Sequence, residues 1–234
     1  MKKILSCILV LAFTASCISS SKKATIEDEV EKVALTDSIP TIKPTSVEIM
    51  PDISWEEFEN ADTAYIDVYS TLYWEGCSWY CGGKVDTIMA SSYHNPENNN
   101  TYNAVNAHDF NHKTVWATNG SGIGEYIVFS FAGSCPRITS VAILNGHVNS
   151  EQSWRNNSRV KFLLLYYNDQ PYKMLEFQDS RSLQFFDLDT LGNGPGHDGY
   201  PNWTLKFEIK EVYPGQKYED CVIADFIFDG IDNH

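Results

Sequence analysis

The segment Asn145-Gly-His-Val-Asn-Ser-Glu-Gln-Ser-Trp-Arg-Asn-Asn157 gathers an indole, an imidazole, a guanidinium and several planar amides within thirteen residues. Flat rings can stack on the apolar face of a pyranose, while amides, carboxylates and guanidinium groups pair with vicinal hydroxyls. Asn145, His147, Asn149, Ser150, Trp154, Arg155 and Asn157, with Arg159 just beyond, are therefore candidate ligand contacts. Glu125 and Trp116 stand in a position to close such a site from the preceding loop. A structural reading competes with this one, because Asn often bonds its own backbone in turns. It is favoured for Asn157 and Arg159 as loop pins, and for Trp116 as a core residue. Trp154, His147 and Asn149 divide evenly between contact and scaffold.

Other chemistries fit the sequence less well. Gly120-Ser-Gly-Ile-Gly124 has the look of a phosphate loop. Its next position is Glu125, however, and no strand and helix flank it, so its glycines serve a tight bend before a strand. His108 and His112 stand four apart, the helical spacing of zinc ligands, but they lie in an Asn-rich stretch with no helical pattern and read as a surface turn. No Gly-x-Ser-x-Gly elbow or other nucleophile and base pair is present, and an enzyme is not expected. Asp109 with Glu125 is the one carboxylate pair that would serve a glycoside hydrolase.

These candidates need strands to hold them. Trp203, Leu205, Phe207 and Ile209 alternate with Thr204, Lys206, Glu208 and Lys210, the pattern of a half-buried strand. Tyr126 to Phe131, Ile138 to Leu144, Val160 to Tyr167, Leu183 to Leu188 and Cys221 to Phe228 are further short apolar runs bounded by turn formers. Many short strands without helical spacers predict an all-β antiparallel sandwich or jelly roll. Aromatic residues make up 13% of the chain, which suits β-structure with rings to spare for stacking. The formal net charge of −14 has the wrong sign for neutralising phosphates, so nucleic acid is excluded as a partner.

The N-terminus reads as an address. Lys2 and Lys3 precede an apolar run from Ile4 to Phe13, too short to span a bilayer, followed by Thr14-Ala15-Ser16-Cys17. The pattern resembles a bacterial lipoprotein signal. It implies a signal peptide over residues 1–16, lipidation of Cys17 and a place in the cell envelope, periplasm-facing or at the cell surface, held by acyl chains alone. Residues 17–61, rich in Ser, Thr, Lys and Pro, read as a disordered tether, and residues 62–234 as the folded domain. The remaining cysteines are Cys77, Cys81, Cys135 and Cys221. In an exported chain they favour disulfides, with Cys77–Cys81 and Cys135–Cys221 the expected pairing and zinc at Cys77/Cys81 the alternative.

Five motifs occur in order: Thr114-Val-Trp116, Gly122-Ile-Gly-Glu-Tyr-Ile127, Asn145-Gly-His-Val-Asn-Ser150, Asn157-Ser-Arg-Val-Lys161 and Val212-Tyr-Pro-Gly-Gln-Lys-Tyr-Glu-Asp220. Together they resemble the NADase-type glycan-binding domain, also found as the translocation domain of secreted NAD-glycohydrolase toxins. The resemblance implies a galactose-binding-like, discoidin-type jelly roll that binds carbohydrate without catalysis. Tyr126 stands where the family has Trp, His147 for Tyr, Asn149 for Lys and Val160 for Pro, so the ligand is expected to differ. Jelly rolls of this type often hold a structural Ca²⁺, for which Asp109, Asn111 and Asn119 are the candidates here, though no cofactor is required. The expected partner is a glycan or polysaccharide. An envelope protein gripped by the same face is the alternative.

Overall fold

A computed structural model describes residues 39–50, 78–94, 102–196 and 199–232 of the chain. The chain divides into two units between Ile39 and Pro40, and every strand described lies in the second. The expected signal peptide, Cys17 and Cys77 lie outside the described residues. No helix among the described residues is long and apolar enough to cross a membrane.

The architecture is the expected all-β sandwich. Eleven strands run in chain order: β1 (Thr41–Ile42), β2 (Ser46–Ile49), β3 (Thr87–Ala90), β4 (Trp116–Ala117), β5 (Tyr126–Phe131), β6 (Ile138–Asn145), β7 (Arg159–Tyr167), β8 (Gln170–Glu176), β9 (Ser182–Leu191), β10 (Trp203–Tyr213) and β11 (Val222–Gly230). One six-stranded sheet has the order β1-β8-β7-β10-β5-β3, and a five-stranded sheet the order β2-β9-β6-β11-β4. All pairings are antiparallel except β1 with β8.

β10 shows why the residues form these elements. Trp203, Leu205, Phe207 and Ile209 are all buried, while the alternate Thr204, Lys206, Glu208 and Lys210 are only partly covered. Between the sheets the core is built largely of rings. Phe131 stacks on Trp203 with centroids 4.2 Å apart, and Phe129 meets Phe207, Phe226 and Phe228 edge-on or tilted. Each such ring contributes roughly 1.5–3 kcal/mol by leaving water. Trp79, Trp116, Trp154 and Trp203 are all at most 4% exposed, so most of the aromatic surplus fills the core rather than a binding surface. That corrects the expectation of spare rings.

The five-stranded sheet is covered on both faces. Its outer face carries a second apolar layer of Ala142, Leu144, Val148, Trp154, Leu183, Val222 and Ala224, roofed in part by Tyr80, Tyr102 and Phe110. This double burial explains the near-continuous apolar runs of β6 and β11.

Three expectations are corrected. Residues 40–50, expected in the tether, form β1 and β2, which extend the β8 edge of one sheet and the β9 edge of the other. Cys135 and Cys221 are buried free thiols. They flank the β6/β11 ladder at opposite ends, since Ile138 pairs with Gly230 and Asn145 with Ile223; at about 3.4 Å per residue this leaves them roughly 20 Å or more apart, too far to bridge. Cys81 is disulfide-bonded, to a partner outside the described residues. Finally, His108 and His112 do not form a surface turn. His112 is buried, and His108 packs among Tyr80, Phe110, Phe129 and Phe228 with Nδ1 2.6 Å from the Phe226 carbonyl.

Candidate functional site

The Asn145–Asn157 segment folds as a turn and one short helix, α1 (Glu151–Asn156). Ser150 caps α1 by accepting a hydrogen bond from the Ser153 amide at 3.0 Å, as a serine at this position does. Gly146 has φ +98°, and a Cβ there would lie 2.6 Å from the Trp154 ring; only glycine lets the chain leave β6 while the indole lies across it.

That indole is scaffold. Trp154 is 4% exposed, donates Nε1–H to the Asn145 carbonyl at 3.0 Å and receives the Arg159 guanidinium on its face at 4.4 Å. A ring so covered cannot receive a sugar, which corrects the contact reading of Trp154. Asn145 is 2% exposed and exchanges two hydrogen bonds with the Val160 backbone, at 2.8 and 3.0 Å. Arg159 grips the Asp179 carboxylate through two nitrogens and donates to the carbonyls of Asn157 and Trp154. Asn145 and Arg159 therefore pin the loop from beneath. Exposed Arg155 pairs with Glu151 along α1, and exposed Asn149 donates to the Lys113 carbonyl at 3.4 Å.

The two residues expected to close the site take other places. Trp116 is fully buried in the inter-sheet core and donates to the Ser92 carbonyl. Glu125 accepts a short hydrogen bond from Ser91. In the Asp109–Asn119 turn, Asp109 accepts from the Asn111 amide and the Thr114 hydroxyl, and Asn111 from the Lys113 amide. No cluster of three or more His, Cys, Asp or Glu suited to a metal occurs among the described residues.

What the loops do enclose is a cleft of about 420 Å³, within the range of small-molecule sites. Its floor is Val115, which precedes β4, with Ala117 of β4 and Val222 of β11, part of the outer apolar layer. One wall is His147 with Ser153, Asn156 and Asn157 of the α1 segment; another is Tyr218 and Asp220 of the β10–β11 loop; a third is His94 with Tyr102, whose rings lie 5.7 Å apart. Of the residues singled out in the sequence, only His147 and Asn157 reach it.

The walls are held by backbone. The Asn156 carbonyl accepts the amides of Lys217 and Tyr218, the Arg155 carbonyl that of Gln216, and the Asp220 carbonyl that of Ser158. Gly215 permits the approach, since a Cβ there would stand 2.5 Å from the Asn156 and Tyr218 carbonyl oxygens. Tyr218 is thereby fixed 44% exposed at the rim. Nδ1 of His147 is shut from solvent and has no hydrogen-bond partner among the described residues. Burial holds its imidazole below the ordinary histidine range, opposed by the negative charge of Asp220. The Asp220 carboxylate has neither a hydrogen bond nor an ion pair among the described residues, and no lysine or arginine lines the cleft.

Sequence reasoning missed His94 and Tyr102, which lie on either side of an Asn-rich stretch with no periodicity. It passed over Tyr218 and Asp220 although both stand in the last of the five ordered motifs.

No curated protein matches the chain. Among solved structures, the CBM32-5 module of CpGH89 from Clostridium perfringens, in complex with GalNAc-beta-1,3-galactose, aligns at 17% identity over 62% of this chain and 94% of that one, with a TM-score of 0.45. A structure holding the CBM32-1, CBM32-2 and M60 catalytic domains of Clostridium perfringens ZmpB aligns at 13% identity over 91% of this chain and 21% of that one, with a TM-score of 0.48. The model of the NAD glycohydrolase translocation F5/8 type C domain matches residues 79–229, from the buried Trp79 to the end of β11 and through every loop that walls the cleft, and the chain belongs to that family.

Proposed function

We propose that this is a noncatalytic glycan-binding protein, lipid-anchored outside the cytoplasm, whose site is the cleft between α1, the β10–β11 loop and the His94/Tyr102 wall. The observation that carries the reading is the cleft's composition: an apolar floor, a tyrosine at the rim, and polar groups without protein partners at His147 and Asp220. Sugars need this mixture of ring face and directed hydrogen-bonding groups. Walls locked by backbone hydrogen bonds reduce the ordering cost of binding. The presence of Asp220 as the cleft's one carboxylate among the described residues supports binding over glycoside hydrolysis, which commonly uses two. The lipoprotein-like leader supports anchoring through Cys17.

A glycan array probed with the full chain tests this reading. Reproducible hits that are lost in Tyr218→Ala and His147→Ala, with an unchanged thermal midpoint, are the expected result. An array without hits from folded protein would overturn it and favour a protein partner.

A further inference from the structure

The charge of the cleft points to a narrower class of ligand than its shape. Asp220 is half-buried and has no counter-ion among the described residues, and the lining contains no lysine or arginine. The chain around it carries a formal net charge of −14, so the surrounding field deepens the deficit of positive charge rather than relieving it. A neutral sugar would leave that carboxylate to water. An anionic one, such as a uronic acid or a sulfated sugar, would meet like charge.

The His147 ring lines the same cleft, with its Nδ1 turned away from solvent. Burial disfavours its protonated form, so the ring does not supply the positive charge that the cleft lacks. Asp220 and His147 are close enough for the carboxylate to act on the imidazole. Asp220 is the anionic acceptor of the cleft. A protonated primary amine carries three donors and no acceptor, which suits a carboxylate, and its charge is further favoured beside the rings of Tyr102 and Tyr218.

Resting on the glycan-binding reading, we infer that the cleft selects sugars bearing a free amino group, the hexosamines, over their N-acetylated and neutral counterparts, with Asp220 as the counter-ion. Acetylation removes both the charge and two donors while adding an acyl group that must be fitted between Asp220 and the floor. The selectivity follows from the charge pairing that acetylation removes as much as from the acyl group that it adds.

Calorimetric titration of the full chain with a glucosamine oligomer and with the N-acetylglucosamine oligomer of equal length, at mildly acidic pH and low salt, tests the inference. The expected result is an affinity for the amine form at least tenfold higher, the scale of one charge-assisted hydrogen bond. That preference should shrink with added salt and vanish in Asp220→Asn, a change that should not disturb folding because the side chain is bonded to nothing among the described residues. Equal or better binding of the N-acetylated oligomer to the unaltered chain, a comparison that needs no variant, would overturn the amine selectivity and leave the glycan reading standing. Persistence of the preference in folded Asp220→Asn would overturn the role of Asp220. If neither oligomer nor any other glycan on the array binds, both readings fall together.

Discussion

At the scale of single residues, Arg155 on α1 and Arg159 at the start of β7 separate touching from holding. Arg159 is buried and makes four hydrogen bonds, two to Asp179 and one each to the carbonyls of Trp154 and Asn157, with its flat face on the Trp154 indole. Arg159→Met would leave those carbonyls and the carboxylate without their donor, at a cost of about 2–3 kcal/mol. Arg155 is exposed and pairs only with Glu151 one turn away, so Arg155→Ala should cost about 0.5 kcal/mol or less. Urea denaturation of the two variants measures the contrast, and comparable losses would show that the loop is not pinned through Arg159. His108 gives a pH dependence by the same reasoning. Burial lowers its pKa in the fold, against the opposing effects of its bond to the Phe226 carbonyl and of nearby Asp109. The unfolded chain therefore binds more protons just below the ordinary histidine value of 6.5. Stability is fully present above that value and falls as pH drops toward the folded-state pKa. The urea midpoint should decline on acidification from neutral, and His108→Phe, which keeps a ring among Tyr80, Phe129 and Phe228, should flatten the decline.

At the scale of elements, the N-terminal strap is where sequence and structure part most. Strict alternation made β10 legible, and β5, β6, β7, β9 and β11 were readable within a few residues as bounded apolar runs. β1 and β2 were not, because Pro40, Pro44 and a run of Ser, Thr and Lys give short edge strands the composition of a linker. β8 was hidden by Pro171, which sits at the start of the strand, beyond the stretch that pairs with β1. Its hairpin is specified all the same: Asn168 and Asp169 both adopt positive φ, as a two-residue type I′ turn requires. The cleft was less legible than the fold, since His94, Tyr102, Tyr218 and Asp220 come together only through the topology. β2 covers the β9 edge over four residue pairs and places Met50 in the outer apolar layer, while β1 covers part of β8. A chain beginning at Pro40 should therefore melt with the full chain. One beginning at Tyr65 loses both edges, and should melt several degrees lower and self-associate through the bared strands, as thermal denaturation and gel filtration would report. Identical behaviour of the two truncations would mean that the strap contributes nothing to the sandwich.

At the scale of the whole molecule, the free thiols report on the integrity of the sandwich. Cys135 and Cys221 are both buried, and burial pushes both thiols up, Cys221 far above the ordinary range, leaving little thiolate to react. Cys221 is fully enclosed behind Gly122 and the Thr118 hydroxyl, which accepts its amide, at the loop end of the sheets. Cys135 sits at the other end, with Sγ 3.7 Å from the Lys84 carbonyl. Since the two lie at opposite ends of the β6/β11 ladder, no local opening frees both. In native protein neither should react with a maleimide on the timescale of exposed thiols, and both should become labelled together in urea at the rate of global unfolding, as mass spectrometry of timed samples would record. Labelling of Cys221 well ahead of Cys135 would show instead that the cleft end opens independently, and the walls that fix Tyr218 and Asp220 would then be mobile rather than set before a ligand arrives.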